Sequence, residues 1–173
     1  LFFRGQMVRL ERAGIRCFIV QGNHDAQGVI SRQLTLPSNV TVFSSRAAQT
    51  IRLDDLSVAI HGRSFPEREV NEDLVPSYPP PVSGYFNIGL LHTSLTGRAG
   101  HDTYAPTDLP TLVAKGYDCW ALGHVHAREV LNERPRIVFC GNLQGRHAKE
   151  TGAKGCELVT VEAGRIEAEF IAL

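Results

Sequence analysis

No run of about 18 apolar residues occurs anywhere in this sequence, so nothing in it reads as a membrane-spanning helix. A basic-then-apolar leader is missing as well. Cysteine is sparse: Cys17, Cys119, Cys140 and Cys156 form no CxxC pair, and Cys17, Cys119 and Cys140 lie in apolar runs. That spacing argues against a cysteine-ligated zinc or a disulfide framework and for free thiols in a reducing cytosol, giving a cytoplasmic expectation. Charge of one sign is not in excess either, with 18 Lys+Arg against 18 Asp+Glu. Bulk charge therefore says nothing for or against a polyanionic partner, and any nucleic-acid contact has to come from a local patch. Internal repeats and low-complexity tracts are lacking, and the proline-rich stretch 76–81 is too short to separate domains.

What is present is an ordinary globular composition, 43% hydrophobic and 21% charged over 173 residues, which suits one domain. A chain of this size buries about 70% of its unfolded surface and needs no metal simply to have a core. Periodicity predicts an amphipathic helix over 1–13, stopped by Gly14, and a buried strand over 16–20 that ends in Gly22-Asn23-His24-Asp25. A short helix is expected over 28–36. Strands are expected over 40–43, 50–53 and 56–60, the last ending at His61-Gly62, and a helix over 67–75. An apolar strand over 86–91 ends in His92, a helix spans 107–115, and a strand over 118–122 runs into Gly123-His124-Val125-His126. Shorter strands follow over 129–131 and 137–140, and 156–161 with 166–171 read as a closing hairpin.

Three of these strands share one design: an apolar run that ends in a polar side chain able to bind metal. Ligands of open α/β sheets bind at the carboxyl ends of strands. If the three lie side by side, Asn23, His92, His124 and His126 converge from distant parts of the chain. In extended backbone, residues two apart face the same way, which sends His124 and His126 into one pocket about 6–7 Å apart. Ions of a hydrolytic pair sit about 3.5–4 Å apart, so each imidazole can serve a different ion. Gly22 and Gly123 fit a backbone that turns beside an ion, where a Cβ has little room. Imidazole and amide oxygen suit manganese, iron or zinc, and the absence of cysteine here argues against structural zinc.

In this order, Gly22-Asn23-His24-Asp25, Leu91-His92-Thr93-Ser94 and Gly123-His124-Val125-His126 resemble the last three motifs of the calcineurin-like metallophosphoesterases. The stretches 61–65, 101–106 and 141–147 resemble the SbcD/YhaO-type DNA repair exonuclease branch of that family. The resemblance implies an α/β fold, a metallophosphoesterase-type β-sandwich flanked by helices, here lacking its first strands. It implies two divalent metal ions, Mn2+ first and Fe or Zn next, with Asn23, His92 and His124 on one ion and His126 on the other. His24 is implied as the general acid that contacts the phosphate and protonates the leaving oxygen, and Asp25 as the carboxylate that orients it. The attacking group is implied to be a hydroxide activated by the two metals. The implied function is hydrolysis of DNA phosphodiesters by an exonuclease subunit in DNA repair, with a homodimer and an SMC-like ATPase as partners.

The family also opens with Asp-x-His and Gly-Asp-x-x-Asp motifs, which have no counterpart here, since 21 residues precede Gly22. Residues 1–173 are therefore expected to be the rear part of a single catalytic domain without a capping domain. The expectation is of an empty or half-occupied metal site, little activity for the chain alone, and exposed sheet edges. A small-substrate phosphatase or nucleotide phosphodiesterase is an alternative, and so is a non-catalytic scaffold if the upstream motifs are truly absent. A serine hydrolase built on Ser94 is argued against by the lack of a GxSxG elbow. Segment 128–154 holds six Lys/Arg (Arg128, Arg134, Arg136, Arg146, Lys149, Lys154) against Glu129, Glu133 and Glu150, an excess that could track a phosphate backbone. His61, Arg63, Arg146 and His147 follow strand ends and are candidate substrate contacts. His101 and Asp102, in the long loop, are weaker candidates.

Overall fold

A computed structural model of the chain describes residues 2–25, 35–96 and 104–173. Among these residues the fold is mixed α/β, dominated by one six-stranded sheet with few helices. Helix α1 (Phe2–Arg12) leads into β1 (Cys17–Ile19), which pairs in parallel with β2 (Val40–Val42). The large sheet contains β3 (Gln49–Leu53), β4 (Val58–Gly62), β5 (Phe86–His92), β6 (Cys119–Gly123), β7 (Glu129–Glu133) and β8 (Arg136–Phe139), in the order β3-β4-β5-β6-β8-β7. Its four inner strands, β4, β5, β6 and β8, are mutually parallel, while β3 and β7 close the edges antiparallel. Helix α2 (Leu109–Ala114) crosses between β5 and β6, and β9 (Gly155–Glu162) with β10 (Arg165–Ala172) forms the closing hairpin.

Both faces of the large sheet are covered, as parallel strands require. Leu90 and Leu91 are neighbours in β5 and point to opposite sides. Leu91 joins a core with Phe65, Leu74, Leu112, Trp120 and Phe139. Leu90 packs with Phe43, Leu53 and Ile60, against which Phe18 and Val20 bring the small β1–β2 sheet. Trp120 is fully buried, donates its indole N–H to the Leu112 carbonyl (3.1 Å), and stacks on Tyr117 at 4.9 Å. The residue beside it in register is Gly89, where a Cβ would sit 2.2 Å from the indole. A glycine in mid-strand is thus the space the indole occupies.

Most predicted elements form, with ends shifted by one or two residues. Asp108 caps α2 by accepting from the Thr111 amide (2.8 Å). The helix expected over 67–75 does not form; a single 3-10 turn, Val75–Ser77, stands at its end. Pro66 and Pro76 bound the segment, and its backbone bonds go elsewhere. Asp73 accepts from Val75 and Thr107, and the Val70 carbonyl accepts from the Ala105 amide. Burial of Val70, Leu74 and Val75 fixes it as an irregular strap over the core. Most of the segment expected as a helix over 28–36 lies outside the described residues.

The hairpin is tied to the sheet through one carboxylate. Glu157 in β9, 3% exposed, meets Arg128 (2.7 Å) and Arg136, and Arg128 also lies over the Phe170 ring of β10. Burial pushes the Glu157 carboxyl up, and the two guanidiniums outweigh that and hold it below its usual range.

Candidate metal centre

The parallel register carries three chain segments to one edge. His92, the last residue of β5, lies opposite Gly123, the last of β6, so His124 emerges beside it. The loop after β1 is brought to the same edge by the stretch that follows β4. The Gln21 amide donates to Ser64 Oγ (3.0 Å), the Phe65 amide donates to the Gln21 carbonyl (2.9 Å), and Ser64 Oγ donates to the Phe43 carbonyl (2.6 Å). These bonds pin the loop that carries Asn23. A Cβ on Gly22 would sit 2.4 Å from the His92 imidazole. The space that Gly22 leaves is therefore filled by the His92 ring.

The result is a cluster of donor atoms. Asn23 Oδ1 is 3.0 Å from His92 Nε2, and His92 Nε2 is 3.3 Å from His124 Nδ1. Two ligand atoms on one ion, with bonds of about 2.0–2.2 Å at tetrahedral or octahedral angles, lie about 2.8–3.6 Å apart. Lone pairs gathered this closely repel unless a proton or a cation lies between them, so the trio fits a shared divalent ion. Among the described residues no three His, Cys, Asp or Glu side chains form such a group; the third donor here is the buried amide of Asn23. Burial, reinforced by the neighbouring His124, His24 and His126, lowers His92 to about 4. Its imidazole is neutral at neutral pH, the form that binds metal.

His124 adopts φ 99°, a conformation that β-carbon-bearing residues rarely hold. Such strain, of about 1–3 kcal/mol, persists where surrounding contacts over-determine it and gathers at functional sites. Here the His124 ring meets His92 edge-on at 5.2 Å and Tyr104 at 5.3 Å. Tyr104 is held by Ser94, since the Ser94 amide donates to the Tyr104 carbonyl (2.9 Å) and the Tyr104 amide donates to Ser94 Oγ (3.1 Å). Ser94 is a loop clamp, in keeping with the rejection of a serine hydrolase.

Asn23, His92 and His124 share one cleft of about 940 Å³ with His24, Asp25, His126, Arg146 and His147. Eight of the twelve candidate side chains thus meet there. His61 and Arg63 do not, and their assignment as substrate contacts is corrected. His61 is fully buried in β4, bonded to Thr50 Oγ1 (2.8 Å) and Asn87 Oδ1 (3.0 Å) and stacked on Tyr117 at 4.1 Å. Its strand-end position is real, but its side chain faces the core. Arg63 reaches Ser77 Oγ (3.3 Å) and the Ser45 carbonyl (3.5 Å) across the loops. The local excess of basic residues also shrinks, since Arg128 and Arg136 are bound within the hairpin anchor. His101 and Asp102 lie outside the described residues.

Glu150 belongs to the cleft, although the sequence presents it only as an offsetting charge. It accepts from His126 Nδ1 (2.7 Å), the Arg146 amide (2.9 Å) and Asn142 Nδ2 (3.2 Å). The Arg146 amide first, then His126, hold its carboxyl at about 2. Its spacing behind Arg146 and His147 was the available signal. Ser64 and Phe65 were also missed, because they position the Asn23 loop without bearing ligands.

The sequence agrees with this geometry at a distance. It is 40% identical over 174 residues to a Bacillus subtilis (strain 168) protein named as an uncharacterized metallophosphoesterase, YhaO. The match supports the metallophosphoesterase family. The aligned region takes in 98% of this chain and 43% of the relative, so the chain spans less than half of that protein's length. No family model matches the chain. Metallophosphoesterases generally use divalent metals, in accord with the donor cluster. Among the described residues no helix is long and apolar enough to cross a membrane.

Proposed function

We propose that this chain carries the histidine-rich half of a metal-dependent phosphodiesterase site that acts on DNA, as an exonuclease does. The observation that carries the reading is the approach of Asn23 Oδ1, His92 Nε2 and His124 Nδ1 within hydrogen-bond distance on the rim of a cleft that also holds His24 and His126. Asn23, His92 and His124 would hold one divalent ion and His126 a second, and such ions would supply charge neutralisation at the phosphate oxygens. Manganese is the ion proposed. The side chains do the remaining work. His24, exposed at the cleft, gives a proton to the leaving oxygen, and Asp25, next to it in sequence and lining the same cleft, orients that imidazole. Arg146 and His147 line the same cleft, which supports a role for them in holding phosphate oxygens.

Assays of the intact protein with Mn2+ on linear duplex DNA, single-stranded DNA and p-nitrophenyl phosphate test the reading. Cleavage of DNA is expected. Turnover of p-nitrophenyl phosphate alone would overturn the DNA substrate. His24→Ala is expected to lower turnover about 10²–10⁴-fold with metal content near normal, and His124→Ala to lower both. Metal loss in His24→Ala would contradict the role given to it.

A further inference from the structure

We infer that Glu150 is a positioning residue that fixes the tautomer of His126 and, through the same carboxylate, holds the Arg146–His147 rim beside it. The inference rests on the phosphodiesterase reading only for its consequence, not for its geometry. An ionised carboxylate accepts and cannot donate, so His126 Nδ1, 2.7 Å from Glu150 Oε1, bears the hydrogen. The Nε2 lone pair of His126 is then left for a cation or a proton from a ligand. His147 fits the same logic. Its Nδ1 accepts from the Lys149 amide (3.3 Å), so in the neutral ring Nε2 bears the hydrogen, and it faces Glu150 Oε1 at 3.4 Å. Oε2 accepts from the Arg146 amide (2.9 Å) and Asn142 Nδ2 (3.2 Å).

Two oxygens thus accept three hydrogen bonds, one from the His126 imidazole and two from the 142–146 loop, with the His147 ring 3.4 Å from Oε1. No neutral side chain can replace it on both sides. A glutamine side chain at this position would offer one oxygen: if that oxygen keeps His126, its amide nitrogen faces two other donors. Hydrogen-bonded carboxylates behind metal-binding histidines typically contribute about 10–100-fold to metal affinity. Glu150 would add to that a physical link between the imidazole and the loop that lines the substrate side.

The test is ring-nitrogen NMR and amide hydrogen exchange on the intact, metal-free protein, followed by Mn2+ titration. Wild type should show His126 protonated on Nδ1. Glu150→Ala should move the proton to Nε2, speed exchange of the Arg146 amide, and weaken Mn2+ binding about 10–100-fold. Glu150→Gln should keep the His126 tautomer yet still speed Arg146 exchange, and His147→Ala should leave the tautomer in place. An unchanged tautomer in Glu150→Ala overturns the inference. If that variant does not fold, unchanged Arg146 exchange in Glu150→Gln overturns it. The expected tautomer and exchange changes in a wild type that binds no Mn2+ would uphold the positioning role and sink the phosphodiesterase reading instead.

Discussion

At the scale of single residues, the site is set by what fits beside the His92 imidazole. Gly22 is one such residue. In Gly22→Ala the new methyl would fall 2.4 Å from the ring, and neither the ring, wedged edge-on to Phe65 at 5.1 Å, nor the pinned loop has room to yield. Overpacking of this kind costs about 1–3 kcal/mol. We expect Gly22→Ala to lower the stability read from urea unfolding by that amount and to reduce Mn2+ affinity more than tenfold, as isothermal titration would show; unchanged affinity would mean the His92 position is not needed for metal. The sequence named the residues that gather here because strand ends mark them: His92 and His124 follow apolar runs. It did not show that Gly22 makes room for the His92 ring, since contact between a loop and a ring distant in sequence leaves no local pattern. Glu150 escaped for a similar reason, as nothing in a stretch of mixed charge tells which acid turns inward.

At the scale of elements, the same alternation that exposed the metal-bearing strand ends misled at His61. The residue ends an apolar strand as His92 does, but the register of β4 sends its ring onto Tyr117 in the core. Burial lowers its pKa below the ordinary 6.5, with the Asn87 hydrogen bond opposing. The unfolded chain therefore binds the proton more readily than the folded one. His61 contributes stability that is full above about pH 6.5 and is lost as pH falls toward its folded value. Urea midpoints of wild type should drop between pH 6.5 and 5 more steeply than those of His61→Gln; parallel curves would show that His61 is not buried neutral. The strap over 67–75 departs from its local pattern for a related reason. Its apolar residues recur at helical spacing, yet Pro66, Pro76 and the turn made by Asp73 hand its backbone bonds to other partners.

At the scale of the whole molecule, the α/β class was legible in the alternation of apolar runs, because each inner strand of a parallel sheet must be apolar on both faces; the sheet order was not, and β1 pairs with β2 apart from β5 and β6. How the closing hairpin attaches was not, since it depends on a side chain. Glu157→Ala leaves the buried Arg136, 7% exposed, without its main partner. Breaking a buried pair costs about 3–5 kcal/mol, and we expect that loss in equilibrium unfolding together with faster hydrogen exchange across β9 and β10; a change under about 1 kcal/mol would mean the hairpin is held by its apolar contacts instead. The fold thus serves the cleft in two ways: the parallel sheet carries His92 and His124 to one edge, where the stretch after β4 pins the loop that bears Asn23, and the segment leading to the hairpin supplies Arg146, His147 and Glu150.

The most direct measurement of this account is anomalous diffraction from crystals of the intact protein grown with Mn2+. The account predicts a manganese peak bonded to Asn23, His92 and His124 together. Manganese bound elsewhere, with these three side chains joined only to one another, would contradict it.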